Sequence, residues 1–194
     1  KVFLMVNVNN EWDRLREVFV GTAEYANNPM KGKDLHSINY AHKNNIDDVY
    51  KGYYPEQVIE ETKEDLAVLC QALKSFFNIK VRRMKPNKNH KTFKTQDWVS
   101  DGYYSFCPRD SVTVIGDTII ESPMTLRSRY FETLGFRDQF IEYMKDGARW
   151  VSAPKPKLTD DNYQRDNLDK LTLTNIEPVF DAANILRCNN DILY

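Results

Sequence analysis

The sequence predicts an α/β fold, and three observations carry that reading. Strand-like and helix-like patterns alternate in the order strand, helix, strand, hairpin, helix, strand, hairpin. The helical stretches recur at a spacing of about 70 residues, as in a repeating chain. The glycines are scattered, and none of them builds the phosphate-binding turn of a dinucleotide fold.

Each element follows from its residues. Val2–Val6 reads as a short strand, Asn9 to Asp13 as a polar turn, and Arg16–Val20 as a strand closed by Gly21. Positions 22–54 are rich in Asn, Gly, Lys and Tyr without a period, and read as a long irregular excursion of the kind that makes lids and binding loops. Pro55 suits the first position of a helix. Val58, Ile59, Thr62, Leu66, Leu69, Leu73 and Phe76 then fall at three- and four-residue steps, giving that helix one apolar face that stops at Asn78. Ile79–Met84 reads as a strand and Trp98–Asp110 as an aromatic loop. Ser111–Ile115 and Thr118–Glu121 flank Gly116-Asp117, which predicts a tight hairpin. Arg127–Lys145 is a second helix, with an uneven apolar face and Gly147 as its stop. Trp150-Val151 starts a strand, Thr159–Lys170 is a polar loop, and Ile185–Arg187 pairs with Ile192–Tyr194 across a turn at 188–191.

Composition excludes several classes of function. A net charge of -1 gives no field to draw in nucleic acid, and the basic positions between Lys80 and Lys94 read as solvated surface. No apolar run approaches the ~20 residues of a membrane span, so neither a membrane nor a nucleic-acid partner is expected. Cys70, Cys107 and Cys188 are too far apart for a metal pair or a disulfide framework, which points to a reducing cytoplasm. His36, His42 and His90 lie in polar loops without ligand spacing. Neither set shows a metal-ligand pattern.

Two carboxylates stand apart. Asp110 follows Cys107-Pro108-Arg109 at the mouth of a strand, and Asp181 follows Val179-Phe180 and precedes the small pair Ala182-Ala183. Each has an ordinary reading as a turn or capping residue. As a pair they suit a planar cation, because guanidinium offers five N–H donors in a fixed fork that carboxylates accept in pairs. The same pair could hold a metal or do acid–base work on a sugar.

Four stretches, taken in order, resemble the amidinotransferases of the glycine and inosamine-phosphate type. They are Asn10–Asp13 with Glu17–Gly21; Cys107-Pro108-Arg109-Asp110; Gly116–Met124 running into Arg127–Glu132; and Glu177–Arg187. The resemblance implies a pentein fold, a fivefold pseudosymmetric α/β propeller, of which residues 1–194 would form the first two to three ββαβ-type units as the amino-terminal part of one domain. It implies transfer of the amidino group of L-arginine to an amine acceptor through a cysteine adduct, with release of L-ornithine. The catalytic cysteine and histidine would then lie beyond Tyr194. Asp181 corresponds to the family's active-site aspartate and Asp110 to its substrate-binding aspartate, while Arg127 is expected near the substrate carboxylate or orienting Asp110. No cofactor or metal is implied, because arginine already carries the transferable group; a homodimer is expected from family habit, and residues 1–194 in isolation are expected to be unstable. The alternatives are a deiminase or dihydrolase of the same fold, in which water resolves the adduct, and a non-catalytic piece that only binds arginine.

Overall fold

The computed structural model describes residues 6–194. The expected strand Val2–Val6 lies outside the described residues except for Val6, which is buried in the main core.

Two strand–helix–strand units organise the chain. In the first, Glu17–Val20 runs parallel to Lys80–Arg83, and the helix Glu56–Phe77 lies in the connection between them. In the second, Thr118–Glu121 runs parallel to Arg149–Ser152, with the helix Arg137–Lys145 between. Val112–Ile115 extends this second sheet as the antiparallel partner of Thr118–Glu121. The intervening Gly116 has φ of 57°, the left-handed conformation that a two-residue hairpin turn requires. Parallel strands need a crossover longer than a hairpin turn, and a helix is the usual one. The sheets are small: among the described residues there are five of two strands and one of three, and they form no closed ring.

The main core joins the units. Phe19, from the first sheet, meets Phe136, Phe140 and Tyr143 edge-on, with ring centroids 5.3, 6.4 and 6.1 Å away. Val6, Met84, Ile119, Ala148 and Trp150 pack around them. Two smaller clusters lie elsewhere, one around Trp98, Leu158, Tyr163 and Leu171 and one around Leu35, Tyr103 and Leu126.

Glu56–Phe77 is a helix, with Pro55 just before its first residue and Asn78 left-handed (φ 52°) at its end. Its apolar face is only partly covered, with Ile59, Thr62, Leu66 and Leu73 half-buried. Cys70 is its one buried residue, while Val58, Val68, Leu69, Phe76 and Phe77 are exposed.

Three expectations are corrected. The second helix does not begin at Arg127: 3₁₀ turns at Arg127–Arg129 and Glu132–Phe136 precede the α-helix Arg137–Lys145. Two tertiary demands set that break. The arginines of the first turn are drawn to partners on separate sides, and Gly135 lies against Met84 and the Lys85 carbonyl so closely that a Cβ would come within 2.4 and 2.7 Å of them. The excursion 22–54 is not wholly irregular, since Lys33–Asn39 is helical and buries Asp34 and Leu35. The polar loop 159–170 contains the strand Tyr163–Arg165, which pairs with Leu171–Leu173 and is anchored by the buried ring of Tyr163.

Candidate functional site

Asp110 and Asp181 are carried by two short turns packed on each other, Pro108–Ser111 and Ala182–Asn184. Pro108 opens the first turn, where its fixed φ fits and its missing N–H costs nothing. The main-chain N–H of Asp110 donates to the Cys107 carbonyl at 3.2 Å, and its carbonyl accepts from the Ser122 hydroxyl at 3.0 Å. Asp181 sits immediately before the second turn, and its carbonyl accepts from the Asn184 N–H at 3.1 Å.

Arg109 holds the turns together. Its guanidinium donates to the carbonyls of Ala182 and Ile185, across 73 and 76 positions of sequence. Behind it, Arg187 grips both oxygens of Glu11, Nη2 to Oε2 at 2.6 Å and Nε to Oε1 at 2.7 Å. That pairing, led by the Arg187 hydrogen bonds, holds the Glu11 carboxyl down at about 2. Asn10 adds a bond to Asn189 at 2.9 Å, so the segment 9–11 is fastened to the hairpin Leu186–Cys188/Asp191–Leu193.

The charges around Asp110 form a compact group. Arg129, 3% exposed, donates from Nη1 to Asp110 Oδ2 at 2.8 Å. Its Nε and Nη2 donate to Glu132 Oε2 and Oε1 at 2.5 and 2.8 Å, and the Glu132 side chain is equally buried. The ring of Tyr104 lies 5.1 Å from the guanidinium. Burial pushes the Glu132 carboxyl up while Arg129 opposes it, and the charge-assisted bonds hold Arg129 firmly protonated.

Asp181 differs from Asp110 in having no such partner. Its Oδ1 is buried and accepts no hydrogen bond from the protein. Burial, then the neighbouring Asp110, push its carboxyl up, while Arg129 and the main chain and hydroxyl of Thr125 pull the other way. An acceptor buried without a donor is costly, and such a group in a folded protein calls for an explanation. The pair is therefore a place of surplus negative charge with open acceptor positions.

Arg127, the third expected site residue, faces elsewhere. Its Nε donates to the Leu158 carbonyl and its Nη2 to Asp160, both at 2.8 Å, and the rings of Trp98 and Tyr163 lie 5.7 and 5.4 Å away. Its main-chain N–H donates to Asp34 at 2.9 Å. The guanidinium that meets Asp110 belongs to Arg129. Arg109, Arg129, Glu132 and Thr125 had not been singled out by sequence reasoning. The one local signal was Arg109 immediately before Asp110; Arg129, Glu132 and Thr125 carried none.

The remaining reactive side chains are not poised for nucleophilic work. Burial and Asp110 push the Cys107 thiol up, away from the thiolate. Cys70 is buried under Arg83. His36 bonds the Lys43 carbonyl, His42 lies beside Tyr40, and His90 lies beside the rings of Tyr25 and Tyr53. Among the described residues no group of His, Cys, Asp and Glu could hold a metal ion, and no helix is long and apolar enough to cross a membrane.

No family model matches the chain. It is 45% identical, over 191 residues, to inosamine-phosphate amidinotransferase 1 of Streptomyces griseus, covering 98% of this chain and 55% of that protein. It is 34% identical to the mitochondrial glycine amidinotransferase of Danio rerio, covering 96% of this chain and 47% of that protein. The solved structure of the Streptomyces griseus inosamine-phosphate amidinotransferase superposes with a TM-score of 0.91. An amidinotransferase of Microseira wollei from the saxitoxin biosynthetic pathway superposes with a TM-score of 0.82 at 38% identity, covering 96% of this chain and 53% of that one. The chain thus spans about half the length of the curated relatives it matches.

Proposed function

We propose, on the premise that this chain is homologous to the amino-terminal half of the inosamine-phosphate and glycine amidinotransferases, that it supplies the guanidinium grip of an enzyme moving an amidino group from L-arginine to an amine. Residues 1–194 are then the first two to three units of a pentein propeller. Their exposed apolar side chains on Glu56–Phe77 and at Ile192, Leu193 and Tyr194 are surfaces that further units or another subunit would cover.

One observation carries the functional reading: a buried Asp181 oxygen without a donor, beside an Asp110 whose Oδ2 alone is held by Arg129. Donor guanidinium N–H groups fill those acceptor positions. The cation is then fixed in a plane, with its carbon open to attack from one face. A thiolate supplied outside this chain attacks that carbon, and the C–N bond to the ornithine nitrogen breaks as an imidazole, also outside this chain, delivers a proton to that nitrogen. The acceptor amine then displaces the thiolate and gives a proton back to the imidazole, splitting one difficult transfer into two easier steps. Asp181 balances charge while the tetrahedral adduct forms, and Asp110 grips the other side of the fork. Arg127 takes a supporting part, fixing the wall around Leu158 and Asp160 rather than touching the substrate. Residence in the cytoplasm and assembly as a homodimer belong to the same proposal.

The relatives named for an inosamine phosphate are 42–45% identical, against 32–34% for those named for glycine. A phosphorylated aminocyclitol is therefore the first acceptor to assay, with glycine beside it. The test is ornithine release from L-arginine by the full-length protein, with and without acceptor. A transferase forms an amidinated acceptor in step with ornithine. Citrulline or urea formed without any amine would instead establish the hydrolase reading.

A further inference from the structure

Arg129 poses an electrostatic problem for the grip just described. A guanidinium 2.8 Å from Asp110, with nothing to balance it, would cancel the charge that Asp110 offers to a cationic ligand. Glu132 lies on the far side of the same guanidinium, and both of its oxygens accept from it, at Nε and Nη2. Because both oxygens are acceptors, neither is placed to carry a proton, and the geometry is that of an ionised bidentate pair. Both side chains are 3% exposed, so water screens the pair little. Asp110 and Glu132 share one guanidinium, and Asp181 adds a further carboxylate beside them.

We propose that Glu132 is a positioning residue that keeps Asp110 available to a cation: it neutralises Arg129, so that Arg129 holds Asp110 Oδ2 in place without discharging it. The inference rests on the reading of Asp110 and Asp181 as the guanidinium-binding pair. It assigns to a residue outside that pair the setting of the pair's charge. The Arg129–Glu132 unit is then a neutral bracket. It supplies geometry to Asp110 through one N–H and contributes almost no net field.

The test measures the Kd of L-arginine for the full-length protein by titration calorimetry, alongside thermal melts. Glu132→Gln leaves the bracket positive and should weaken arginine binding about tenfold or more, since an unbalanced charge beside a binding carboxylate acts on affinity directly. Glu132→Asp keeps the charge and should bind arginine close to the parent even where its melting temperature falls. The decisive variant is Glu132→Gln with Arg129→Gln, which removes both charges and retains an amide donor for Asp110. It should recover most of the affinity lost in Glu132→Gln, although it is further from the native packing. A merely structural role predicts the opposite, a double variant weaker than Glu132→Gln alone.

Asp110→Asn and Asp181→Asn are run beside them. If these weaken arginine binding while Glu132→Gln stays within about twofold of the parent, a difference of ~0.4 kcal/mol, the role of Glu132 is refuted and the carboxylate pair stands. A double variant without recovery, or Glu132→Asp as weak as Glu132→Gln, also refutes it. Unchanged binding in both aspartate variants would overturn the functional reading and this inference together.

Discussion

Arg127 and Arg129 leave one 3₁₀ turn with a single residue between them and enter unlike surroundings. Arg127 meets a carbonyl, two aromatic faces and Asp160, a carboxylate more than half exposed. Its bond to Asp160, with a second from Lys33, pulls that carboxyl down. Arg129 meets two carboxylates, one of them wholly buried, and the neighbouring Asp181 is pushed up. Both arginines are buried, so burial of a cation does not tell a site from a scaffold. An open acceptor does: near Arg127 the carboxylates of Asp34 and Asp160 both have donors, and near Arg129 a buried oxygen of Asp181 has none.

Substitutions can break or sharpen that contrast. The largest effect is expected at Asp181. In the full-length protein, Asp181→Asn should lower kcat/KM for arginine by at least about thirtyfold, ~2 kcal/mol, while circular dichroism stays parental. Ornithine release near the parental rate by a folded variant would remove Asp181 from the site. Asp110→Asn should lose about tenfold, more of it in KM, because Arg129 still holds the side chain that remains.

Arg127→Met tests the scaffold side. Its signature should be a lower melting temperature, from a loss of about 1–3 kcal/mol as the Leu158 carbonyl loses its donor. The KM for arginine should stay near the parental value. A raised KM without loss of stability would return Arg127 to the substrate.

A smaller effect is expected from acid. The Glu11 pKa falls on folding, from 4.5 to about 2, through Arg187. The stability from this pair is therefore fully present above the unfolded value and is lost as pH falls from 4.5 through about 2. Denaturation midpoints should drop over that window, and Glu11→Gln should flatten the drop, which chemical melts at several pH values would reveal. Least of all is expected from Asp117→Asn, which loosens the contacts of a hairpin turn with Thr118 and Arg149. A slightly lower melting temperature and parental turnover of arginine are the expected result.

The elements legible in the sequence were those whose pattern is local. The hairpin around Gly116, the helix ending at Asn78 and the strand before Gly21 each declare themselves through a turn residue or a period. What was not legible depends on distant partners. Lys33–Asn39 is too short to show a period, and it is held by burial of Asp34 against the Arg127 main chain. The run from Arg127 to Phe136 carries enough apolar residues to pass for helix, yet its arginines are bound in two directions. Asp110 and Asp181 were ambiguous by pattern and gained a role only through resemblance to a family. Their grouping with Arg109, Arg129 and Glu132 could not be read at all, because Arg129 and Glu132, three positions apart, look in sequence like an ordinary pair on a helix surface.

The bonds that fasten Glu11 to Arg187 and Arg109 to the turn after Asp181 bear on how the molecule is made. They close loops of 176 and 73 residues, and contacts so remote in sequence form late because the chain must first lose the freedom of everything between them. During synthesis, Asp110 leaves the ribosome long before Asp181 exists to meet it. The first strand–helix–strand unit completes its core only when the second emerges, because Phe19 packs on Phe136, Phe140 and Tyr143. The carboxylate pair assembles only once residue 187 is clear of the exit tunnel and can reach back to Glu11, so Asp110 is made well before the contacts that set it beside Asp181 can form.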